Sequence, residues 1–327
     1  MNQIEFESCH EAEWNALALA LEPPRKAGEA KPVESSEVPR RFRRLAAELA
    51  IARDRQYRTS LLDRLHALVI TAHFAVHGAR AYGRGGIVAS LWRFFVEEFP
   101  VEARRQWRFL AVAAVAFFGP FLGCIIALQF FPDFVYYLVS PESLSRMQSM
   151  YSPDAARFGA TREADTDVMM FGFYIANNVR IDLQCLAGGI FFGLGTLAAL
   201  ILNGTFLGAV AGHLTHVGLG RNFWGFVAGH SAPELLGVVL AGAAGLMIGY
   251  ALVAPGRQTR IAALRMRGPP AATLLYGAAL MTMFAAVIEA FWSSRVSIPF
   301  EIKIAVGVVV AILMVAFLAL GGRTRGP

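Results

Sequence analysis

Three acid–base side chains lie in two apolar stretches of the carboxyl-terminal third of the sequence. His230 and Glu234 are four residues apart, as two metal ligands on one helical face would be, and Glu289 lies in a later stretch. A charge at the centre of a membrane helix costs on the order of 3 kcal/mol on insertion scales, so such acids are functional candidates by default. These residues could form a structural ion-pair network, a transport or ligand site, or a metal site. Residue type and spacing leave all three open.

Glu234 also has a structural explanation that Glu289 lacks. Ser231 and Glu234 have the spacing of a capping box, in which the glutamate returns to a free backbone N–H. Pro233 would then occupy the first turn, where its missing N–H is not needed. We therefore predict a helix that begins near Ser231, with His230 before it. Glu289 lies one turn inside an apolar stretch and has no comparable role.

A further group of polar residues lies in residues 174–182, next to an apolar stretch. Asn177, Asn178 and Arg180 could anchor a helix start at the membrane interface, or they could line a site. The topology proposed below places them near the outer leaflet, at the depth of His230 and the two carboxylates. The sequence therefore predicts one polar cluster in the outer leaflet.

The composition excludes most soluble classes of protein. Hydrophobic residues make up 56% of the chain and charged residues 17%, whereas a soluble domain has about 25% charged residues. The sequence has no phosphate-binding loop, dinucleotide fingerprint, G-x-S-x-G or H-E-x-x-H motif. Residues before the first apolar stretch contribute +3 of the net charge of +6, and membrane topology explains this charge without nucleic acid. We predict a polytopic membrane protein that binds no nucleic acid.

The apolar stretches separate a membrane region from a charged head. We predict an all-α fold, with a bundle of about six spans over residues 109–320 and a cytoplasmic helical hairpin before it. Residues 1–35 are acidic and contain prolines, which predicts a disordered tail or linker, and residues 36–108 show the helical periodicity of the head. Residues 132–182 form the predicted outer loop, and residues 321–327 form a cytoplasmic tail. The predicted spans are residues 109–131, 183–202, 205–219, 232–254, 271–292 and 304–320.

The basic residues predict how the bundle is oriented. Seventeen of the 30 Lys and Arg residues precede Phe109, and Arg257, Arg260, Arg265 and Arg267 lie between the fourth and fifth predicted spans. Basic residues concentrate on the cytoplasmic side of membrane proteins. We therefore predict a bacterial inner-membrane protein with cytoplasmic amino and carboxyl termini, anchored by arginines on anionic lipid.

Pairs of glycines four residues apart predict close helix packing. In lipid, small residues let helix backbones approach each other, so such pairs indicate contacts within the chain or across a homo-oligomer. The pairs are Gly189 and Gly193, Gly208 and Gly212, and Gly245 and Gly249.

In combination, the motifs of residues 170–292 resemble the stage II sporulation protein M family of integral membrane proteins. The head is similar to that of the Gram-negative, non-sporulating branch. Ser231 stands where the family pattern leads us to expect glycine. The motifs are Tyr174-Ile-x-Asn177-Asn178-x-Arg180, Gly188-Gly189, Gly193-Leu-Gly195-Thr196, Leu202-Asn203-Gly204, Phe226-x-x-x-His230-x-x-x-Glu234 and Ile288-Glu289-Ala290-Phe291.

The resemblance implies a membrane subunit rather than a free-standing enzyme. In spore formers, family members belong to an engulfment complex with peptidoglycan-degrading partners. Elsewhere, similar proteins tend to be encoded near MoxR-type ATPases and RDD-type membrane proteins. The candidate site residues coincide with motif positions of the family: His230, Glu234, Glu289, Asn177, Asn178 and Arg180.

We therefore predict a non-enzymatic scaffold or partner-binding subunit of a complex in the cell envelope, with no required cofactor. Its expected partners are membrane lipid, a MoxR-type ATPase or RDD-type membrane protein, and a second copy of the chain. Two alternatives stay open: a transporter or channel that uses Glu234 and Glu289, and a metal-dependent hydrolase at His230, Glu234 and Glu289. Wide separation of those three side chains would exclude both alternatives.

Overall fold

The chain forms two compact helical units, Met1–Trp92 and Arg93–Pro327. The computed structural model describes residues 3–21, 37–73, 86–155, 158–159 and 167–323. Within these residues the chain contains helices and connections but no strand, which confirms the predicted all-α fold.

The first unit is built on three helices, α1 (Gln3–Leu21), α2 (Val38–Asp54) and α3 (Thr59–His73). Each helix contributes apolar residues at helical spacing to one shared core. A short helix, α4 (Gly86–Arg93), ends at the boundary between the units. The buried core residues are Phe6, Trp14, Leu17, Leu45, Leu49, Ala52, Leu61, Leu65 and Ala72.

Helix α1 corrects the prediction that residues 1–35 form a disordered tail or linker. The acidic residues that suggested disorder pair with arginines far along the sequence: Arg44 with Glu13 at 3.0 Å and Arg64 with Glu11 at 3.2 Å. Phe6 on the same helix is buried. Residues 22–36, mostly in the predicted tail or linker, and residues 74–85, in the predicted head, lie outside the described residues.

The second unit is a bundle of long apolar helices joined by short ones. Within the described residues, five helical segments are long and apolar enough to cross a membrane: α6, α9, α10, α11 with the π-helical turn that follows it, and α12. The elements in chain order are a π-helical turn Phe94–Glu98, α5 (Phe99–Arg105), α6 (Trp107–Phe130), a 3-10 helix Pro132–Tyr137, α7 (Pro141–Met150), α8 (Asp167–Ala187), a 3-10 helix Gly188–Ile190, α9 (Leu194–His216), α10 (Gly220–Val253), α11 (Arg260–Ile288), a π-helical turn Glu289–Ser293 and α12 (Phe300–Leu320).

Close contacts show that α6 and α9 run in the same direction. Gly204 packs on the backbone of Phe117, and Gly208, one turn later, packs on the backbone of Phe121. Because the numbers rise together on both helices, the chain must cross back between them, and α8 is the helix that does so. We call the end of the bundle where α6 ends the loop face, and the end where α6 begins the opposite face. Six helices therefore traverse the described bundle, of which α8 is the most polar.

The second and third predicted spans were placed wrongly. Residues 183–202 do not form one helix, because α8 ends at Ala187 and α9 begins at Leu194. The connection between them is apolar, which hid the turn in the sequence. Its last residues have positive φ angles, 57° at Phe192 and 83° at Gly193. The predicted break between these two spans at residues 203–204 is also wrong, since Gly204 lies inside α9.

The predicted glycine pairs lie at close backbone contacts. Gly189 packs on Gly245 and Gly193 on Gly249, which brings the α8–α9 connection against α10 at the opposite face. The third pair, Gly208 and Gly212, lies on the side of α9 that packs against α6. Small residues therefore hold the polar helix α8 and the buried helix α10 at short distance, and this spacing positions the polar residues described next.

Candidate functional site

His230 and Glu234 lie on one face of α10, inside the helix. Helix α10 begins at Gly220, so Ser231 is in its fourth turn and the predicted capping box is wrong. Because the two residues are one turn apart, their side chains are neighbours, and His230 Nε2 also faces Glu289 in the turn after α11. His230 is 3% exposed.

Glu289 is the first residue of the π-helical turn that extends α11. Single π turns inside α-helices are frequently found at functional sites. Gly229 on α10 packs directly beneath the Trp292 ring, so the two helices approach closely here. Glu289 is 8% exposed, and its Oε2 has no hydrogen-bond partner among the described residues.

The three side chains converge on one point in the loop-face half of the bundle. His230 Nε2 lies 3.8 Å from Glu234 Oε2 and 3.9 Å from Glu289 Oε1. One ligand atom from each residue lies within 4.8 Å of the other two. These separations are too long for direct hydrogen bonds and short enough for a shared cation or proton. The three side chains are therefore not widely separated, and neither the transporter nor the hydrolase alternative is excluded.

A polar chain continues from His230 to the last helix. His230 Nδ1 and Ser293 Oγ are hydrogen-bonded at 2.9 Å, and Ser293 ends the same π turn that begins at Glu289. The Lys303 ammonium donates to the Ser293 carbonyl oxygen at 2.8 Å. Lys303 is 2% exposed and belongs to the first turn of α12. The buried Lys303 ammonium is thus linked to His230 through a single residue, Ser293.

Helix α8 contributes one of its three predicted site residues to this cluster. Asn178 is buried, its side chain lies beside Glu234, and its Nδ2 has no hydrogen-bond partner within the described part of the chain. Asn177 donates to Asn178 Oδ1 at 3.0 Å and supports it from the next position. Arg180 does not join the cluster. It is exposed on the outer face of α8 and forms no ion pair with any described residue.

Two described residues that follow α7, Tyr151 and Phe158, pack beside the polar chain at the loop face. The Phe158 amide donates to the Ser294 carbonyl oxygen at 3.3 Å, and the Phe158 ring lies over the Lys303 ammonium. Tyr151, at the end of α7, packs edge-on against Phe226 of α10. Burial raises the pKa of the Tyr151 phenol above its usual range, and the nearby carboxylates of the cluster raise it further. This phenol therefore stays neutral beside the cluster.

A second buried polar pair lies deeper in the bundle. The Thr282 hydroxyl on α11 donates to Asp182 Oδ2 on α8 at 2.8 Å. Asp182 is 1% exposed, and its Oδ1 has no hydrogen-bond partner in the described residues. No second carboxylate or histidine among the described residues joins Asp182 in a metal-sized group, so this pair differs in kind from the first cluster.

Sequence reasoning missed Ser293, Lys303 and Tyr151. Ser293 stands four residues after Glu289, a spacing that would have placed both on one face. Lys303 is one of three lysines in the chain and precedes the predicted sixth span by one residue. Tyr151 carried no signal, because its place depends on how the loop-face segment folds back on α10.

The arrangement can hold positive charge between a histidine and two carboxylates. A neutral imidazole whose Nδ1 is held by Ser293 presents its Nε2 to both carboxylates. The asparagine amide beside Glu234 adds a hydrogen-bond donor at the edge of the cluster. Such a set suits a proton or a divalent cation better than an organic ligand.

The sequence was compared with known families, curated proteins and solved structures. The family model described as stage II sporulation protein M matches residues 110–294, which is more than half of the chain. A second family model, described as a domain of unknown function (DUF8413), matches residues 4–78, the region of α1–α3. No curated protein and no solved structure matches the chain significantly. The first match covers the helices α6–α11 and all three residues of the cluster.

Proposed function

The chain belongs to the stage II sporulation protein M family, and we propose that it acts as a non-enzymatic subunit of a membrane complex in the cell envelope. It is a multi-pass membrane protein. The observation that carries the proposal is the outer face of α8, which bears an exposed arginine inside a helix that traverses the bundle.

Arg180 lies seven residues before the end of α8, or about 10 Å from the opposite-face end of the helix at 1.5 Å per residue. A charged side chain at that depth in lipid is expensive, and such residues normally face a partner or a cavity. Arg180 instead faces away from its own bundle, and no described residue pairs with it. A partner that supplies an acid at this depth would relieve the cost.

The surface around Arg180 is shaped for another helix. A shallow apolar groove of about 460 Å³ runs along α8 beside the arginine. Ala176, one turn before Arg180, is a small residue that lets a second backbone approach. The groove is lined by Ile175, Ala176, Val179, Arg180, Leu183, Gln184 and Ala187.

We commit to a partner membrane helix with an acidic side chain near the bilayer midplane. Two copies of this chain related by a twofold axis along the membrane normal would place Arg180 opposite its own copy, and like charges repel. The RDD-type membrane protein implied by the family resemblance is the first candidate for α8. A MoxR-type ATPase is the first candidate for the first unit.

The location of this complex is also a proposal. Arg257, Arg260 and Arg323 all belong to the opposite face of the bundle. Basic residues favour the cytoplasmic side. This supports placement in the bacterial inner membrane, with the opposite face and both chain termini in the cytoplasm.

Site-specific photo-crosslinking in cells tests the proposed subunit role. A photoreactive amino acid at position 176 is expected to capture a second membrane protein, and Arg180→Leu should reduce the yield at least tenfold while Arg180→Lys keeps it. The matched control is the same label at Ile312 of α12, which is 62% exposed and should capture no protein. Capture of only this chain, or of no protein at position 176, would overturn the proposal.

A second candidate function rests on the cluster at His230. One ligand atom from each of the three residues lies within 4.8 Å of the other two. Such a group favours a transporter or a metal-dependent hydrolase. Replacing Glu289 by Gln separates the candidates in cells. A scaffold keeps its cross-links and its complex after this change, whereas a transporter or hydrolase loses its function.

A further inference from the structure

The cluster of His230, Glu234 and Glu289 carries more negative charge than its described neighbours neutralise. Neither carboxylate has a lysine or arginine within 4.0 Å among the described residues, and the ion-pair contacts of both are with His230 alone. Lys303 is the nearby buried cation, but its ammonium is bonded to the Ser293 carbonyl oxygen. Even if Lys303 balances one carboxylate, the other remains.

The hydrogen bonds around His230 direct a lone pair toward the carboxylates. When Nδ1 donates to Ser293 Oγ at 2.9 Å, Nε2 carries the lone pair, and two carboxylate oxygens face it at 3.8 and 3.9 Å. Three electron-rich atoms that face one another repel unless a positive charge lies between them. The buried Glu289 Oε2, which lacks a described partner, is a second and separate sign of an unmet demand for positive charge.

We propose that His230 Nε2 and the carboxylates of Glu234 and Glu289 bind a first-row divalent cation, with Zn²⁺ as the preferred ion. One imidazole and two carboxylates form a donor set that suits zinc, manganese or iron, whereas Mg²⁺ and Ca²⁺ favour oxygen ligands alone. Tetrahedral ligands 2.0–2.1 Å from zinc lie about 3.4 Å apart. The observed separations therefore require small side-chain shifts and no change of backbone.

The surrounding residues fit the role of support for such a site. Metal-bound histidines usually place their second ring nitrogen in a hydrogen bond that fixes the ring, as Ser293 does here. Lys303 holds the Ser293 backbone in turn. Three protein ligands leave a fourth position, and the Asn178 amide lies on the Glu234 side of the cluster.

The cation would join two helices that belong to different parts of the chain. His230 and Glu234 come from α10, and Glu289 comes from the π turn after α11. A bound ion would fix the π turn against α10, below the segment that carries Phe158. This role is independent of the partner helix proposed at Arg180, which lies on the other face of α8.

The test is metal binding by the full-length chain in detergent, with any affinity tag removed. The protein is stripped with a chelator and dialysed, Zn²⁺ is added, and bound metal is measured by inductively coupled plasma mass spectrometry and by titration calorimetry. We expect one equivalent of zinc in the wild type and none in His230→Ala or Glu289→Gln. Ser293→Ala should bind zinc at least about tenfold more weakly, because it removes the support of the histidine.

Two variants control for burial and charge. His213→Ala removes a buried histidine that is bonded to Gln148 at 2.8 Å, and Asp182→Asn removes the other buried carboxylate of the bundle. Both should keep one equivalent of zinc. Wild-type protein that binds no zinc, manganese or iron would overturn the proposal even if every variant failed to fold, and so would stoichiometric zinc in a monodisperse Glu289→Gln protein. Cross-linking from position 176 should not change in either case, so failure here leaves the subunit role standing.

Discussion

Each unit of the protein buries a glutamate, and the two glutamates differ in what surrounds them. Glu48 in the first unit is 5% exposed and receives hydrogen bonds from the Trp14 indole at 2.7 Å and from Arg44 at 3.2 Å. Glu289 in the bundle is 8% exposed, leaves Oε2 without a described donor, and faces a histidine and a second carboxylate. The two glutamates are buried to a similar extent, but only Glu48 has described hydrogen-bond donors for both of its carboxylate oxygens.

The difference separates a structural carboxylate from a functional candidate. A buried charge that is paired and hydrogen-bonded needs no further explanation. Glu48 meets that description, because its partners come from α1 and α2 and tie these helices together. Glu289 does not meet it, and the atoms that converge on it are those of a metal ligand set. Asp182 also has an oxygen without a described partner, so the better guide to function here is the convergence of a histidine and a second carboxylate on Glu289.

The largest expected effect is the loss of zinc-dependent stability in one glutamate variant but not in the other. A ligand at 100 times its Kd stabilises the folded state by about 2.7 kcal/mol, so zinc should raise the Tm of the wild type by several degrees. Glu289→Gln should lose this rise completely, and Glu48→Gln should keep it. The measurement is thermal unfolding in detergent with and without Zn²⁺. An equal zinc-dependent rise in Tm in both variants would show that zinc binding does not depend on Glu289.

A smaller effect is expected when Glu48 is truncated. Glu48→Ala leaves the Trp14 N–H buried without its acceptor, which costs about 1–3 kcal/mol. Hydrogen exchange of α1 amides in the full-length chain should therefore become faster. Glu13→Ala is the matched control, because Glu13 is an exposed partner of the same Arg44 and such pairs contribute about 0–1 kcal/mol. Equal exchange rates in the two variants would show that Glu48 is not a structural anchor.

The smallest effect is expected at Asp182, the other buried carboxylate of the bundle. Asp182→Asn keeps an oxygen that accepts from Thr282 and removes a buried charge, so we expect stability to change by less than about 1 kcal/mol. Zinc binding should not change. A loss of zinc from this variant would mean that Asp182 contributes to zinc binding. The zinc site would then include Asp182 as well as the cluster at His230. Thermal unfolding and metal content measure both outcomes.

The sequence predicted the membrane class and most long helices, because hydropathy alone identifies α6, α10 and α12. It failed at α8 and α9 for a physical reason. The turn at residues 188–193 is as apolar as the helices beside it, so no polar residue marked it. The polar residues of α8 face inward at Asn178 and Asp182, which made a helix that traverses the bundle resemble a loop.

In the first unit and in the site, too, some features could be predicted from the sequence and others could not. Helix α1 was read as disordered because the pairing of its acids with Arg44 and Arg64 depends on tertiary contacts. His230, Glu234 and Glu289 could be grouped from their depth in the predicted spans. The spacing of Ser293 from Glu289 offered a signal that was missed, whereas Lys303 could not be grouped because its position depends on the loop before α12.

The central claim, that Glu289 belongs to a cation site, is tested most directly by X-ray absorption at the zinc edge on the full-length protein in detergent. We predict one zinc with one nitrogen of an imidazole and carboxylate oxygens at about 2.0–2.2 Å, and loss of this signal in Glu289→Gln. Zinc with sulfur ligands, or a spectrum that Glu289→Gln leaves unchanged, would contradict the account.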